Sequence, residues 1–340
     1  MVSDSAELTA RLTALIRARS GNPYARASGL EPLPGHAGVS YRFVCEQDQR
    51  HGAETAAPLV LRLAPAGAPA TGPNDVARQA RIMTALAGVG GVPVPRILWF
   101  DDDPRWLGQP FFIAEFVAGE KPALGERRFE ADEMRRCAAA AVAAAAALHR
   151  LDSRACRAAF GEPVELASEL DRLARLLDRP TIDAQLIARA PALRERLAAR
   201  IPGAMRIGCV HGDFQWSNCL FRDGRLVALI DWELAQVGAV LIDLGWLALF
   251  SDRKSWATDD LVPACCPAPE ELVVGYEEAT AEKIPAGAMR WFRAFAAYRF
   301  GVITAFNLML HRRGKRHDPM WETFALSGPR LFERGLELLG

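Results

Sequence analysis

Residues 209–233 read CVHGDFQWSNCLFRDGRLVALIDWE, and the fold is organised around the Asp223-Gly224 step in their middle. Apolar runs flank that step, Cys219-Leu220-Phe221 before it and Leu226 to Ile230 after it. Asp-Gly is a strong signal for a two-residue hairpin, because both central residues must accept positive φ. Folding about the turn sets Phe221 opposite Leu226 and, in the same register, Asn218 opposite Leu229. Asp231 then leaves the ribbon on the face of Asn218, as a diagonal neighbour. A carboxylate and a carboxamide converge at the open end, and both are hard oxygen donors that suit Mg²⁺ better than zinc. Asp213 precedes them in the loop entering the hairpin, with His211 and Gly212 beside it. A base, an amide and a metal carboxylate in this order suggest phosphoryl transfer, whose catalysis is mostly positioning and charge neutralisation.

HGDFQWSN (211–218), IDWE (230–233) and DLGW (243–246) together resemble the aminoglycoside phosphotransferase family, a small-molecule branch of the protein-kinase-like fold. The resemblance implies Asp213 as catalytic base, Asn218 and Asp231 as Mg²⁺ ligands, and Asp243 as a brace of the catalytic loop. Taken singly, each has a plainer reading: Asp213 caps a turn, Asn218 is a loop residue, Asp231 ends a strand, and Asp243 caps a helix. His211, so close to Asp213, is expected to shape the loop by hydrogen bonding rather than to act as a base.

Composition sets the frame. The chain has 340 residues, 50% of them hydrophobic, and a formal net charge of +0, enough for two lobes with separate cores. No basic excess points to nucleic acid, and no basic amphipathic stretch points to a membrane surface. Seven irregularly spaced cysteines form no disulfide framework or zinc motif, which fits free thiols in a reducing cytoplasm. The start, MVSDSAELTARL, is not a secretory signal, and the Ala-rich run from Ala138 to Leu148 is too short to span a bilayer. A cytoplasmic protein is expected.

Taken in order, residues 1–25 form an N-terminal helical extension, with Leu8, Leu12, Leu15 and Ile16 at helical spacing. Residues 26–117 read as a nucleotide-binding lobe of antiparallel strands. LPGHAGVSYRFVC (33–45) predicts two strands about a glycine turn, Gly35 to Gly38, of the kind that lets backbone N–H groups approach polyphosphate. On its own this is as well any hairpin. By resemblance it is the nucleotide-covering loop, with Ser40 as a phosphate contact. The strand 59–63 carries Arg62 where kinase-like proteins present a lysine, and the helix Asp75 to Leu86 offers Gln79 in place of its glutamate partner. Arginine can fork onto phosphate oxygens, and glutamine can still accept a hydrogen bond. The resemblance also marks the main chain of Glu115 to Val117 as the adenine edge.

Residues 118–340 read as a mostly helical lobe carrying the catalytic loop and the acceptor site. Helices are expected over 130–149, 164–179, 181–200, 269–283 and 289–310. The whole is a two-lobed α+β kinase-like enzyme that moves a γ-phosphoryl group from ATP or GTP, with Mg²⁺, to a hydroxyl of a small molecule. The final third mixes Glu277, Glu278 and Glu282 with Arg290, Arg293 and Arg299, so it does not announce a polycation pocket. A hydroxyacyl-CoA or another metabolite, as in the branch resembling acyl-CoA-dehydrogenase-linked kinases, is therefore preferred over an aminoglycoside. The basic stretch 311–317 is a solvated helix end or a phosphate contact for such a substrate. The rival of another class is a kinase-like protein that binds a nucleotide or metabolite without transfer. A hydrolase using Cys209 or Cys219 with His211 fits less well.

Overall fold

In the first third Phe43 and Cys45, and then Leu59, Leu61 and Leu63, are buried at every second position, the spacing that turns one face of a strand to a core. In a computed structural model, which describes residues 5–33, 39–46, 56–65, 67, 69, 71–122, 129–203 and 205–340, helix α1 (Ser5–Ser20) precedes β1 (Arg26–Leu33), β2 (Val39–Glu46) and β3 (Ala57–Leu63). Helix α2 (Val76–Leu86) follows, then β4 (Ile97–Asp101) and β5 (Phe111–Glu115). The five strands lie in the order β1-β2-β3-β5-β4, every neighbouring pair antiparallel. Phe43, Leu59, Leu61, Leu63, Phe111 and Ile113 fill one face, and Leu8, Leu12, Leu15 and Ile16 of α1 close over it. Asp75 caps α2, its side chain accepting from the Arg78 N–H at 2.8 Å.

The chain divides into two compact units. One comprises Met1–Val89, Pro93–Ala118 and Ala228–Leu234; the other comprises Gly90–Val92, Gly119–Val227 and Ala235–Gly340. The second is mostly helical: α3 (Ala131–His149), α4 (Ser153–Phe160), α5 (Leu166–Leu177) and α6 (Ala190–Ala199) precede β6 (Ile207–Val210). Next in the chain come β7 (Cys219–Arg222) and β8 (Arg225–Leu229), paired as a two-stranded ribbon, the last two residues of β8 being counted with the first unit. Asp223 and Gly224 between them both take positive φ, 53° and 76°, as an Asp-Gly hairpin turn requires. Strand β9 (Gln236–Ala239), not foreseen from the sequence, pairs antiparallel with β6. Helices α7 (Leu241–Leu249), α8 (Pro269–Thr280), α9 (Ala288–Arg312), α10 (Met320–Ala325) and α11 (Gly328–Leu339) complete the unit.

One expectation needs correction. The helix expected over 181–200 occupies only Ala190–Ala199, because Pro191 sits in its first turn, the one place in a helix where proline removes no needed N–H. Asp243 lies within α7, and its carboxylate is spent on another segment rather than on capping its own helix. The long helix α9 is buried along most of its length and packs on α7, α11, α5 and α6. Gly245 permits a close approach of α7 to α9, since a Cβ there would stand 2.7 Å from the Phe292 carbonyl oxygen of α9. Among the described residues no helix is long and apolar enough to cross a membrane.

Candidate active site

The loop between β6 and β7 is held from beneath by one carboxylate. Asp243, fully buried, accepts the backbone N–H of His211 at 2.7 Å on Oδ2 and that of Gly212 at 2.8 Å on Oδ1. His149 Nε2 lies 3.1 Å from Asp243 Oδ2, and its Nδ1 lies 2.8 Å from the Tyr276 hydroxyl. Burial pushes the Tyr276 phenol up, so it keeps its proton and donates to Nδ1; Nε2–H then donates to Asp243. Burial also pushes the Asp243 carboxyl up. The His149 hydrogen bond, the electrostatic pull of the His149 and His211 rings and the His211 backbone N–H outweigh this and hold it below the ordinary 3.8.

That brace presents Asp213. Its backbone N–H donates to His211 Nδ1 at 3.2 Å, so His211 is buried as a loop-shaping group. The Asp213 side chain is half-buried and accepts from three others. Trp246 Nε1 donates to Oδ1 at 2.7 Å, and Gln215 Nε2 lies 3.0 and 3.2 Å from Oδ1 and Oδ2. Asn218 Nδ2 donates to Oδ2 at 2.8 Å and to the Asp213 carbonyl at 2.9 Å. Asp213 and Asn218, both read from the sequence, thus meet directly. Trp246 and His149 were missed, although Trp246 stands inside the DLGW motif.

In the sheet-containing unit, Arg62 of β3 is mostly buried and hydrogen-bonds Ser40 Oγ at 3.0 Å, joining two residues singled out for phosphate. Facing it are Glu233 at 3.5 Å and Asp231 at 3.9 Å. Gln79, in the place of the usual glutamate, donates its amide to the Pro73 carbonyl at 3.0 Å. The carboxylate opposite the strand cation therefore comes from the IDWE segment. Trp232 anchors that segment, fully buried, its Nε1 on the Leu229 carbonyl at 3.0 Å. Asp231 stands at φ 66°, a conformation that costs a non-glycine residue and is retained where surrounding structure demands it.

Of the remaining expected contacts, Gly35 and Gly38 lie outside the described residues. Glu115 and Phe116 spend their N–H groups on the carbonyls of Arg96 and Pro58, at 3.0 and 3.1 Å. Val117 follows, half-buried. Among the described residues no group of three or more His, Cys, Asp or Glu could hold a metal ion. The Cys209 and Cys219 thiols are buried and pushed well up by burial, which leaves little thiolate for a nucleophile.

Comparison with known proteins identifies the family and the fold. The model of the phosphotransferase enzyme family matches residues 42–292. Mouse acyl-CoA dehydrogenase family member 10 is 28% identical over 207 residues, 56% of this chain and 18% of that protein. "Probable acyl-CoA dehydrogenase IBR3" of Arabidopsis thaliana is 27% identical over 265 residues, 72% of this chain and 32% of that protein. The chain thus matches a third or less of these relatives' length. Among solved structures, a candidate aminoglycoside phosphotransferase from Ralstonia eutropha superposes with a TM-score of 0.74 at 21% identity, covering 97% of this chain and 98% of that one. A thermostable mutant of aminoglycoside phosphotransferase APH(4)-Ia, in complex with ADP and hygromycin B, gives 0.61 at 16% identity, covering 96% of each chain. The α+β fold is the kinase-like fold of these phosphotransferases.

Proposed function

The chain belongs to the phosphotransferase enzyme family, and from that premise we propose that it moves the γ-phosphoryl group of ATP to a hydroxyl of a small molecule, with a hydroxyacyl-CoA as the favoured acceptor. The observation that carries this reading is the Asp213 carboxylate, fixed by three side-chain donors on a loop braced by the buried Asp243. Such a carboxylate is pre-organised to take a proton from an attacking hydroxyl. Arg62, tied to Ser40, is the cation for the α- and β-phosphates. With the Glu115 and Phe116 N–H groups engaged, a main-chain donor for a base in this stretch falls to Val117. Asn218 and Asp231 are the oxygen donors for Mg²⁺, which when bound would neutralise charge on the phosphates. Gly35 and Gly38 keep their place as loop candidates for phosphate.

The acceptor preference rests on relatives named as acyl-CoA dehydrogenases. The nucleotide rests on the ADP complex of a structural neighbour. Free thiols at all seven cysteines suit a reducing cytoplasm. Calorimetric titration with ATP and GTP, with and without Mg²⁺, on the wild type and Asp231→Ala is the first test. Magnesium-dependent binding weakened by the substitution supports the reading. Absence of nucleotide binding overturns it. Magnesium-dependent binding without transfer, in a screen of hydroxyacyl-CoA thioesters against aminoglycosides, leaves the non-catalytic binding protein in its place. Turnover of aminoglycosides alone reverses the acceptor preference.

A further inference from the structure

The three donors on Asp213 differ in standing. Gln215 is a half-buried neighbour two residues away, and it shares one amide between both carboxylate oxygens. Asn218 is divided between the side chain and the main chain of Asp213. Trp246 comes from outside the loop, on α7, is only 2% exposed, and makes the shortest of these contacts. Its ring cannot drift. The edges of Phe250 and Phe300 meet it at centroid distances of 5.7 and 5.8 Å, and Gly245 lets its helix press against α9.

Beneath the indole lies an unusual group. The Arg299 guanidinium of α9 sits 4.6 Å from the Trp246 ring centroid and is 5% exposed. Its Nε finds no hydrogen-bond partner among the described residues, and Glu169 of α5 stands 4.0 Å away. Burial pulls its guanidinium below the ordinary value even though the charges of Glu169, Asp213 and Asp243 favour it, so holding this cation here costs stability. Replacing such a group by an apolar side chain is often neutral or stabilising, so packing alone gives no reason for it here. A cation on one face of an indole draws on the ring's π density, which favours a stronger N–H donor at its edge. Other charged or titratable groups set around the loop are Asp243, with His149 and His211, and the thiol of Cys219.

Resting on the reading of Asp213 as the base, we propose that Trp246, seated on Arg299, is a positioning residue for this reaction: it pins Oδ1 of Asp213 and so aims Oδ2 at the acceptor hydroxyl. Gln215 is the donor that yields. Its amide shares the carboxylate's lone pairs, is held by a short loop segment, and gives way when a hydroxyl arrives. Pinning one oxygen matters because proton abstraction needs a lone pair held within about 0.5 Å of the productive geometry.

Trp246→Phe keeps a ring against Phe250, Phe300 and Arg299 and deletes only the N–H. The probe is phosphate release from Mg-ATP with water as acceptor. The expected result is a fall in kcat of about 10- to 100-fold with KM for ATP within about twofold, the signature of an interaction that acts in the transition state. In an Asp213→Ala background the same substitution should change the residual rate by less than about twofold, because Trp246 acts through that carboxylate. A kcat within twofold of wild type, or an equal loss in the Asp213→Ala background, overturns the proposal. Arg299→Met provides a second variant, with kcat expected to fall about 3- to 10-fold and Arg299→Lys to restore part of it; no change in Arg299→Met removes the cation from the device. Indole ¹⁵N–¹H spectra add a readout free of turnover. The Trp246 signal, assigned by its loss in Trp246→Phe, should move upfield in Asp213→Ala, and a stationary signal refutes the hydrogen bond. Unimpaired turnover in Asp213→Ala would instead defeat the reading of the base, which separates the two failures.

Discussion

The loop that carries Asp213 and the strand that carries Arg62 are built on different principles. Around Asp213 and Asp243 the hydrogen bonds run from 2.7 to 3.2 Å, and the bracing groups are buried. Around Arg62 one bond to Ser40 is firm, while the carboxylates stand back at 3.5 and 3.9 Å. The first arrangement is finished before any ligand arrives. The second holds a cation near carboxylates without spending it, as the phosphate contact proposed for Arg62 requires. Pre-organisation suits a group that must be aimed, and loose pairing suits one that must change partners.

The contrast is sharpest at Asp213. Asp213→Asn should cut phosphoryl transfer by about 10²- to 10⁴-fold while calorimetric nucleotide affinity stays within about threefold. Full transfer by that variant would break the contrast at its root. Asp243→Asn should come next, lowering stability in urea by about 2–3 kcal/mol, since a buried charge-assisted acceptor of two backbone N–H groups and His149 is lost. The same residue sets a pH dependence. Its folded value is depressed, so its contribution is complete above the ordinary carboxylate value of 3.8 and is lost as pH falls through the lower folded value. Asp243→Asn should therefore flatten the stability profile below about pH 4, and a profile unchanged from wild type would refute this.

Effects in the other region should be smaller and should appear in binding. Arg62→Met is expected to weaken Mg-ATP by about 10- to 30-fold, near 1.5–2 kcal/mol, with stability within about 1 kcal/mol of wild type. Glu233→Gln should be mildest, altering ATP affinity by about threefold or less, because the ion pair it removes is long. If Glu233→Gln proved as damaging as Asp243→Asn, the two regions would be alike in kind, and the contrast would have to be given up.

Much of this was legible in the chain itself. Asp223 and Gly224 announce a hairpin because the requirement for positive φ is local and few residues meet it. The apolar spacing of α1, the Asp75 cap of α2 and the alternation along β2 and β3 are likewise written within a few residues of where they act. The triplet of Asp213, Asn218 and Asp231 could be picked out for the same reason, since it sits in one short stretch. Partners far apart in sequence were not legible. Trp246 reaches Asp213 across 33 positions, His149 reaches Asp243 across 94, and Glu233 reaches Arg62 across 171. Gln79, judged from its place in α2, turned to the Pro73 carbonyl, and Glu233 faced the cation. Periodicity states which face of an element is buried, and it is silent on which other element covers that face. Burial of the apolar faces of α7 and α9, with a glycine at a close approach, brought Trp246 and Arg299 together. The sequence therefore determined the chemistry and the local frames that carry it. Only the packing of distant elements decided which donors fix Asp213 and which carboxylates stand by Arg62, because those contacts follow from long-range burial that no local rule encodes.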